Sequence, residues 1–184
     1  MVKVAAVFGL SGVGKSWLVC RYARTNRVLH AQASRLLREA KAATSRAVVT
    51  SEDLRTGKVL DNQQLLIGAF APFHLQGASP VIFDGHCLVD SGDRLIEIPV
   101  SVIGALSVSG IVFVRSDAAA IAERRRNDLT RVRPLRLPEE ISLHQERAVH
   151  LCEEYSCHLK LGLYIVDAGD EPGFALAMAS IFDG

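Results

Sequence analysis

The run Gly9-Leu10-Ser11-Gly12-Val13-Gly14-Lys15-Ser16 decides the fold. It fits the spacing G-x-x-x-x-G-K-[ST], in which glycines let backbone N–H groups turn inward around phosphate oxygens. With glycine at about 7% of residues, roughly a hundred or more chains of this length are needed for one chance match. The context adds to the signal. Val2 to Phe8 is short, apolar and bounded by glycine, as a buried strand is. A helix is expected from Ser16 to about Arg24, with its positive dipole end toward the same phosphates. Lys15 is expected to reach the β- and γ-phosphates of ATP, and Ser16 to ligate Mg²⁺. Trp17 extends the expected nucleotide-binding stretch by one residue.

Working outward, apolar runs and helical segments alternate. Val28 to His30 reads as a second strand, and Ser34 as the cap of a helix to about Ala42. Ala43 to Asp61 is polar, with short helices at most. Asp61 can cap a helix to Phe70, which Pro72 ends. Val81 to Asp84 reads as a central strand, and Gly85 to Ile98 as a polar loop. A short apolar helix follows from Pro99 to Leu106, then a strand from Gly110 to Val114. The segment Pro99 to Ser109 suits core or a contact surface equally. Ser116 is expected to cap a helix over Asp117 to Asn127. Asp128 to Pro138 is a loop, and Pro138 opens a long helix to about Tyr155. Leu163 to Val166 is the last strand, and Pro172 to Phe182 the terminal helix.

Nearly continuous apolar strands between helices predict an α/β fold with a parallel sheet covered on both faces. One domain over 1–184 is expected, with a helical acceptor-binding insertion at 31–70 and an arginine-bearing lid at 127–138.

Composition bounds the rest. The chain has 184 residues, 49% of them apolar, enough for a core of its own. Lys and Arg total 21 and Asp and Glu 20, a net charge of +1 that disfavours a generic nucleic-acid binder. No apolar run approaches the roughly 18 residues of a membrane span. No signal-peptide pattern opens the chain, so a cytoplasmic protein with no membrane partner is expected. Cys20, Cys87, Cys152 and Cys157 form no zinc-type pairs and read as buried apolar groups.

Asp84 ends its strand at the rim where such sheets bind ligands, the position from which a carboxylate serves Mg²⁺. Asp167, at the end of Tyr164-Ile165-Val166-Asp167, competes for that role. His86 reaches the same rim, as a functional group or as a structural hydrogen-bonder. Arg115, Arg124, Arg125, Arg126, Arg131, Arg133 and Arg136 lie within 22 residues. A flap carrying such arginines can hold two polyanions together and exclude water. Arg124, Arg131 and Arg133 are the candidates for neutralising the transferring group, each able to contribute roughly 10³–10⁵ in rate.

The chain resembles the archaeal-type, or trimeric-type, adenylate kinases, within the P-loop nucleoside monophosphate kinases. The resemblance is strongest at Gly9–Ser16, at Val81–His86 with its Asp-x-His, and at Arg124-Arg125-Arg126-Asn127-Asp128-Leu129-Thr130-Arg131-Val132-Arg133. Arg147-Ala148 is similar too. It implies a five-stranded sheet in the order 2-3-1-4-5, reversible transfer from ATP to AMP, and the possibility of homo-oligomers. Pro134 stands where that family usually has Asp, and the insertion matches poorly. Ser34, Arg55 within Thr50–Arg55, and Gln63 or Gln64 are the acceptor-site residues carried over.

The leading expectation is therefore an ATP- and Mg²⁺-dependent nucleoside monophosphate kinase. The acceptor is a nucleoside monophosphate or another small phosphoryl acceptor. One alternative is a kinase for a small hydroxylated metabolite, where Asp84 would serve as base. Another is a nucleotide-binding switch or assembly factor with slow ATPase activity.

Overall fold

A computed structural model describes residues 2–44, 59–75, 79–92, 94–128 and 133–184. Arg55 and the rest of Thr50–Arg55, and Arg131, lie outside the described residues. Strand β1 (Val4–Phe8) is wholly buried, as its unbroken apolar run requires. Helix α1 (Lys15–Thr25) follows, then β2 (Leu29–Gln32) and α2 (Ala33–Thr44). Helix α3 (Val59–Phe70) packs on α2, and a 3₁₀ turn at Ala71–His74 holds Pro72. Next come β3 (Val81–Asp84), β4 (Leu88–Asp90), β5 (Leu95–Glu97) and α4 (Val100–Ala105). The chain closes with β6 (Gly110–Arg115), α5 (Ala118–Asn127), α6 (Pro138–Leu159), β7 (Gly162–Asp167) and α7 (Glu171–Phe182).

The main sheet is five-stranded in the order β2-β3-β1-β6-β7, every pairing parallel. Counting only its own strands, that is the order 2-3-1-4-5. The register sets Val7 and Gln32 on either side of Asp84, so the strand ends around the glycine loop meet at one level. The fold is the α/β P-loop kinase fold.

Several local expectations change. Gly85 to Ile98 is not a plain loop: β4 and β5 form an antiparallel hairpin separate from the main sheet. Its strands are two short apolar runs around a turn at Ser91-Gly92, where the Ser91 hydroxyl donates to the Arg94 carbonyl at 2.8 Å. Asp117, not Ser116, caps α5, its carboxylate accepting from the Ala120 amide at 2.9 Å. Ser34 and Asp61 lie inside their helices rather than before them. Helix α6 runs on to Leu159. Around α4, Val102, Ile103 and Leu106 are buried, which settles that segment as core. Of the cysteines, Cys87 and Cys152 are buried with their sulfurs 3.8 Å apart, while Cys20 and Cys157 are exposed. No helix among the described residues is long and apolar enough to cross a membrane.

Candidate active site

The glycine loop leaves β1 and enters α1 through Gly14, and the first turn of α1 carries no acidic residue. Such a helix start favours an anion. Lys15, Leu18 and Val19 share the buried face of α1, so the helix phase turns Lys15 inward. Gly9 and Gly12 are required by geometry. A Cβ on Gly9 would lie 2.5 Å from the Val114 carbonyl oxygen, and one on Gly12 3.1 Å from Arg125 Cγ. Gly12 also sits at φ +88°, where other residues are strained.

Asp84 is the centre of the charged cluster. Lys15 Nζ is 2.9 Å from Oδ1, the Ser16 hydroxyl donates to Oδ2 at 2.9 Å, and His30 Nε2 is 3.3 Å from Oδ2. Burial pushes the Asp84 carboxyl up. The Lys15 charge and the hydrogen bonds from His30, Lys15 and Ser16 outweigh it and hold the group well below the usual carboxylate range. Asp167 is 65% exposed and paired with Arg115 at 2.7 Å, on the far edge of the sheet. Only Asp84 stands beside Ser16.

His86 Nδ1 donates to the Gly9 carbonyl at 2.8 Å. Burial, and after it the Lys15 charge, push this ring down to about 3. A neutral ring with its proton on Nδ1 keeps an acceptor lone pair on Nε2. Arg124 lines the cleft over the loop. Its Nη1 donates to the Val13 carbonyl at 2.9 Å, which braces the loop. Arg133 pairs with Asp128 at 2.6 Å.

Two clefts meet here. One, of about 290 Å³, runs over the loop and is lined by Gly12, Lys15, Trp17, Asp84, Arg124 and Asp128, among others. The second, of about 190 Å³, lies between α2, α3, the hairpin and α6, and most of its wall is apolar. Leu10, Ser11, Ala33, Ser34, His86 and Arg133 line both. A further chamber of about 80 Å³ continues the second cleft past Leu37 and Leu66 to the buried carboxamides of Asn62 and Gln63. Of the expected acceptor residues, Ser34 and Gln63 line this space, and Gln64 is exposed.

His30, Asp90 and His144 escaped the sequence reading, and Arg125 entered it only as a member of the arginine cluster. Asp90, in the hairpin, accepts from Arg136 Nε at 3.2 Å and Nη2 at 3.0 Å, and His144 Nδ1 is 4.0 Å away. Arg125 carried a legible signal. Ile121, Ala122 and Arg125 share the buried face of α5 at helical spacing.

The oxygen donors Ser16 and Asp84 suit Mg²⁺, which takes one or two protein oxygens and fills its shell with phosphate and water. Among the described residues, no three His, Cys, Asp or Glu side chains converge.

A family profile described as "AAA domain" matches residues 8–142. The chain belongs to that family. A search of curated protein sequences gives no significant match. Among solved structures, a shikimate kinase from Bacteroides thetaiotaomicron superposes with a TM-score of 0.57 at 11% identity, covering 99% of each chain. A sugar kinase from a Janibacter species gives 0.56 at 16% identity, over 100% of this chain and 95% of the other. A gluconokinase from Sinorhizobium meliloti gives 0.51 at 18%, over 99% and 97%. At these identities the likeness is one of fold.

Proposed function

We propose that this AAA-domain protein is a phosphotransferase that passes the γ-phosphoryl group of ATP to a small metabolite. The observation that carries the reading is the shared wall: the cleft over the phosphate loop opens into the apolar cleft along Ser11, Ser34, His86 and Arg133. Donor and acceptor can therefore meet without crossing solvent, which favours transfer over hydrolysis. All three structural neighbours named above are kinases: a shikimate kinase, a sugar kinase and a gluconokinase. They support the metabolite reading over an adenylate kinase.

The loop amides and the α1 dipole hold the phosphates, and Lys15 leaves Asp84 for the β- and γ-oxygens. Ser16 and Asp84 would hold Mg²⁺, which supplies charge neutralisation at the phosphates when bound. Arg124 keeps the loop carbonyls turned outward, so the N–H groups face the nucleotide. Arg133, with Arg131 from the lid, neutralises charge on the transferring group. A hydroxyl acceptor must lose a proton. The move of Lys15 frees Oδ1 of Asp84 at the loop cleft, whereas the His86 ring, pushed down to about 3, borders both clefts as a hydrogen-bond acceptor of low basicity. Asp84 is the candidate base, and His86 orients the hydroxyl.

One observation favours a second reading, a nucleoside monophosphate acceptor. The far chamber ends in Asn62 and Gln63, and buried carboxamides beside an apolar slot suit the edge of a base.

The test is transfer from γ-labelled ATP with Mg²⁺ to sugars, sugar acids, shikimate, AMP, CMP, UMP and GMP, with Lys15→Met as control. Label in a phosphorylated hydroxyl compound is expected. Label in a diphosphate selects the second reading. Label only in free phosphate overturns both.

A further inference from the structure

Arg125 is 4% exposed, yet it carries a full charge. Its Nε donates to the Ser11 carbonyl inside the phosphate loop at 2.8 Å, and its Nη1 lies 3.7 Å from Asp90 Oδ2 in the hairpin. Its stem fills the space beside Gly12 that a side chain there would need. The same residue lines the apolar cleft, as do Asp90 and His144. One side chain thus touches the nucleotide loop at one end and the acceptor-side hairpin at the other.

We propose that Arg125 is a positioning residue that couples the phosphate loop to the acceptor cleft through Asp90. Nε and Nη1 belong to one rigid plane. The Ser11 carbonyl is hydrogen-bonded to that plane, and the Asp90 carboxylate, 3.7 Å from Nη1, is paired with it by charge rather than by a hydrogen bond, so a shift of Asp90 is felt at the loop. A ligand that donates hydrogen bonds to Asp90, or accepts them from Arg125, in the cleft changes the pull on Ser11, and so the set of the loop amides around phosphate. Low exposure strengthens this link, because the charges face each other with little water between. Asp90 has a second attachment, to Arg136 just before α6, and a signal could travel that way too. The two routes differ in whether they need Arg125.

The inference rests on the proposed nucleotide site, and the experiment separates the two. Affinity for the analogue AMP-PNP with Mg²⁺ is measured by titration calorimetry in the unmodified chain, Asp90→Asn, Arg125→Met and the double variant. Asp90 makes no contact with the loop, yet Asp90→Asn is expected to weaken binding about fivefold. In the Arg125→Met background the same change is expected to cost less than about twofold. Equal effects in both backgrounds overturn the coupling, since a purely structural loss or the Arg136 route survives without Arg125. No binding by the unmodified chain overturns the nucleotide site and the coupling with it. Thermal melting checks each fold, and Arg125→Lys, which keeps the charge but lacks the Nε–H fork, replaces Arg125→Met in the cycle if the latter does not melt cooperatively.

Discussion

Lys15 is 5% exposed, and its ammonium lies 2.9 Å from an equally buried carboxylate. Removing one member of such a pair leaves the other charged in a dry place, which costs about 3–5 kcal/mol, more than the pair itself contributes. Lys15→Met is therefore expected to lower stability as well as transfer, the latter by at least about a hundredfold. Lys15→Met with Asp84→Asn should regain most of the stability and none of the activity. Denaturant unfolding of the unmodified chain and the two variants checks this, and a double variant no more stable than Lys15→Met would overturn it. The motif made these residues legible because loop backbone and helix phase fix them together. The arginines were harder. Three stand consecutively at 124–126, and only the buried face of α5, through Ile121 and Ala122, shows that Arg125 turns inward. The geometry separates the two competing carboxylates: Asp84 meets Ser16, and Asp167 an exposed arginine. His30 gave no signal, since its role depends on β2 lying next to β3.

At the scale of the element, α3 carries an avoidable weakness. Gly68 lies within the helix, exposed, and a Cβ there would meet nothing within 4 Å. Glycine in a helix costs roughly 0.5–1 kcal/mol against alanine, mainly through the entropy of the unfolded chain. Gly68→Ala is expected to raise Tm by about 1–4 °C, read by calorimetry; a fall would show that the helix is strained there. Five sheet strands were legible because a parallel sheet buried on both faces demands unbroken apolar runs. Their ends slid by a residue or two, as β2 did, because caps compete locally: Ser116 and Asp117 both can cap, and the carboxylate takes the amide. The β4–β5 hairpin was missed for a physical reason. Its strands have three residues each, and it is held by α6 as much as by its own ladder, through Arg147 to Glu97 at 2.6 and 2.8 Å and Tyr155 to the Ile98 carbonyl. Little in the local sequence announces a partner 50 residues away.

At the scale of the whole molecule, Asp90 draws together the hairpin, the Arg136 segment before α6, α5 and α6. That junction gives stability a defined pH dependence. Burial, then the charges of Arg136 and Arg125 against the opposing pull of Asp90, push the His144 ring below its ordinary value. The unfolded chain therefore binds a proton at His144 over a range where the folded chain does not. Stability from this group is complete above about pH 6.5 and declines as the pH falls below it. His86, pushed down to about 3, adds to the same limb. Asp90 acts in a lower window. The Arg136 hydrogen bond, set against burial, holds its carboxyl below its ordinary value, so its contribution is full above about pH 4 and is lost only as the pH drops through the folded value. The two windows are separable. Between pH 7 and 5 the unmodified chain is expected to lose Tm, and His144→Gln to lose distinctly less, because one of the two displaced rings no longer takes up a proton on unfolding. Below pH 4 the two chains should fall in parallel, since the carboxylates are common to both. Identical slopes between pH 7 and 5 would place the His144 ring in ordinary solvent and dissolve the junction as a polar cluster in the wall of the apolar cleft.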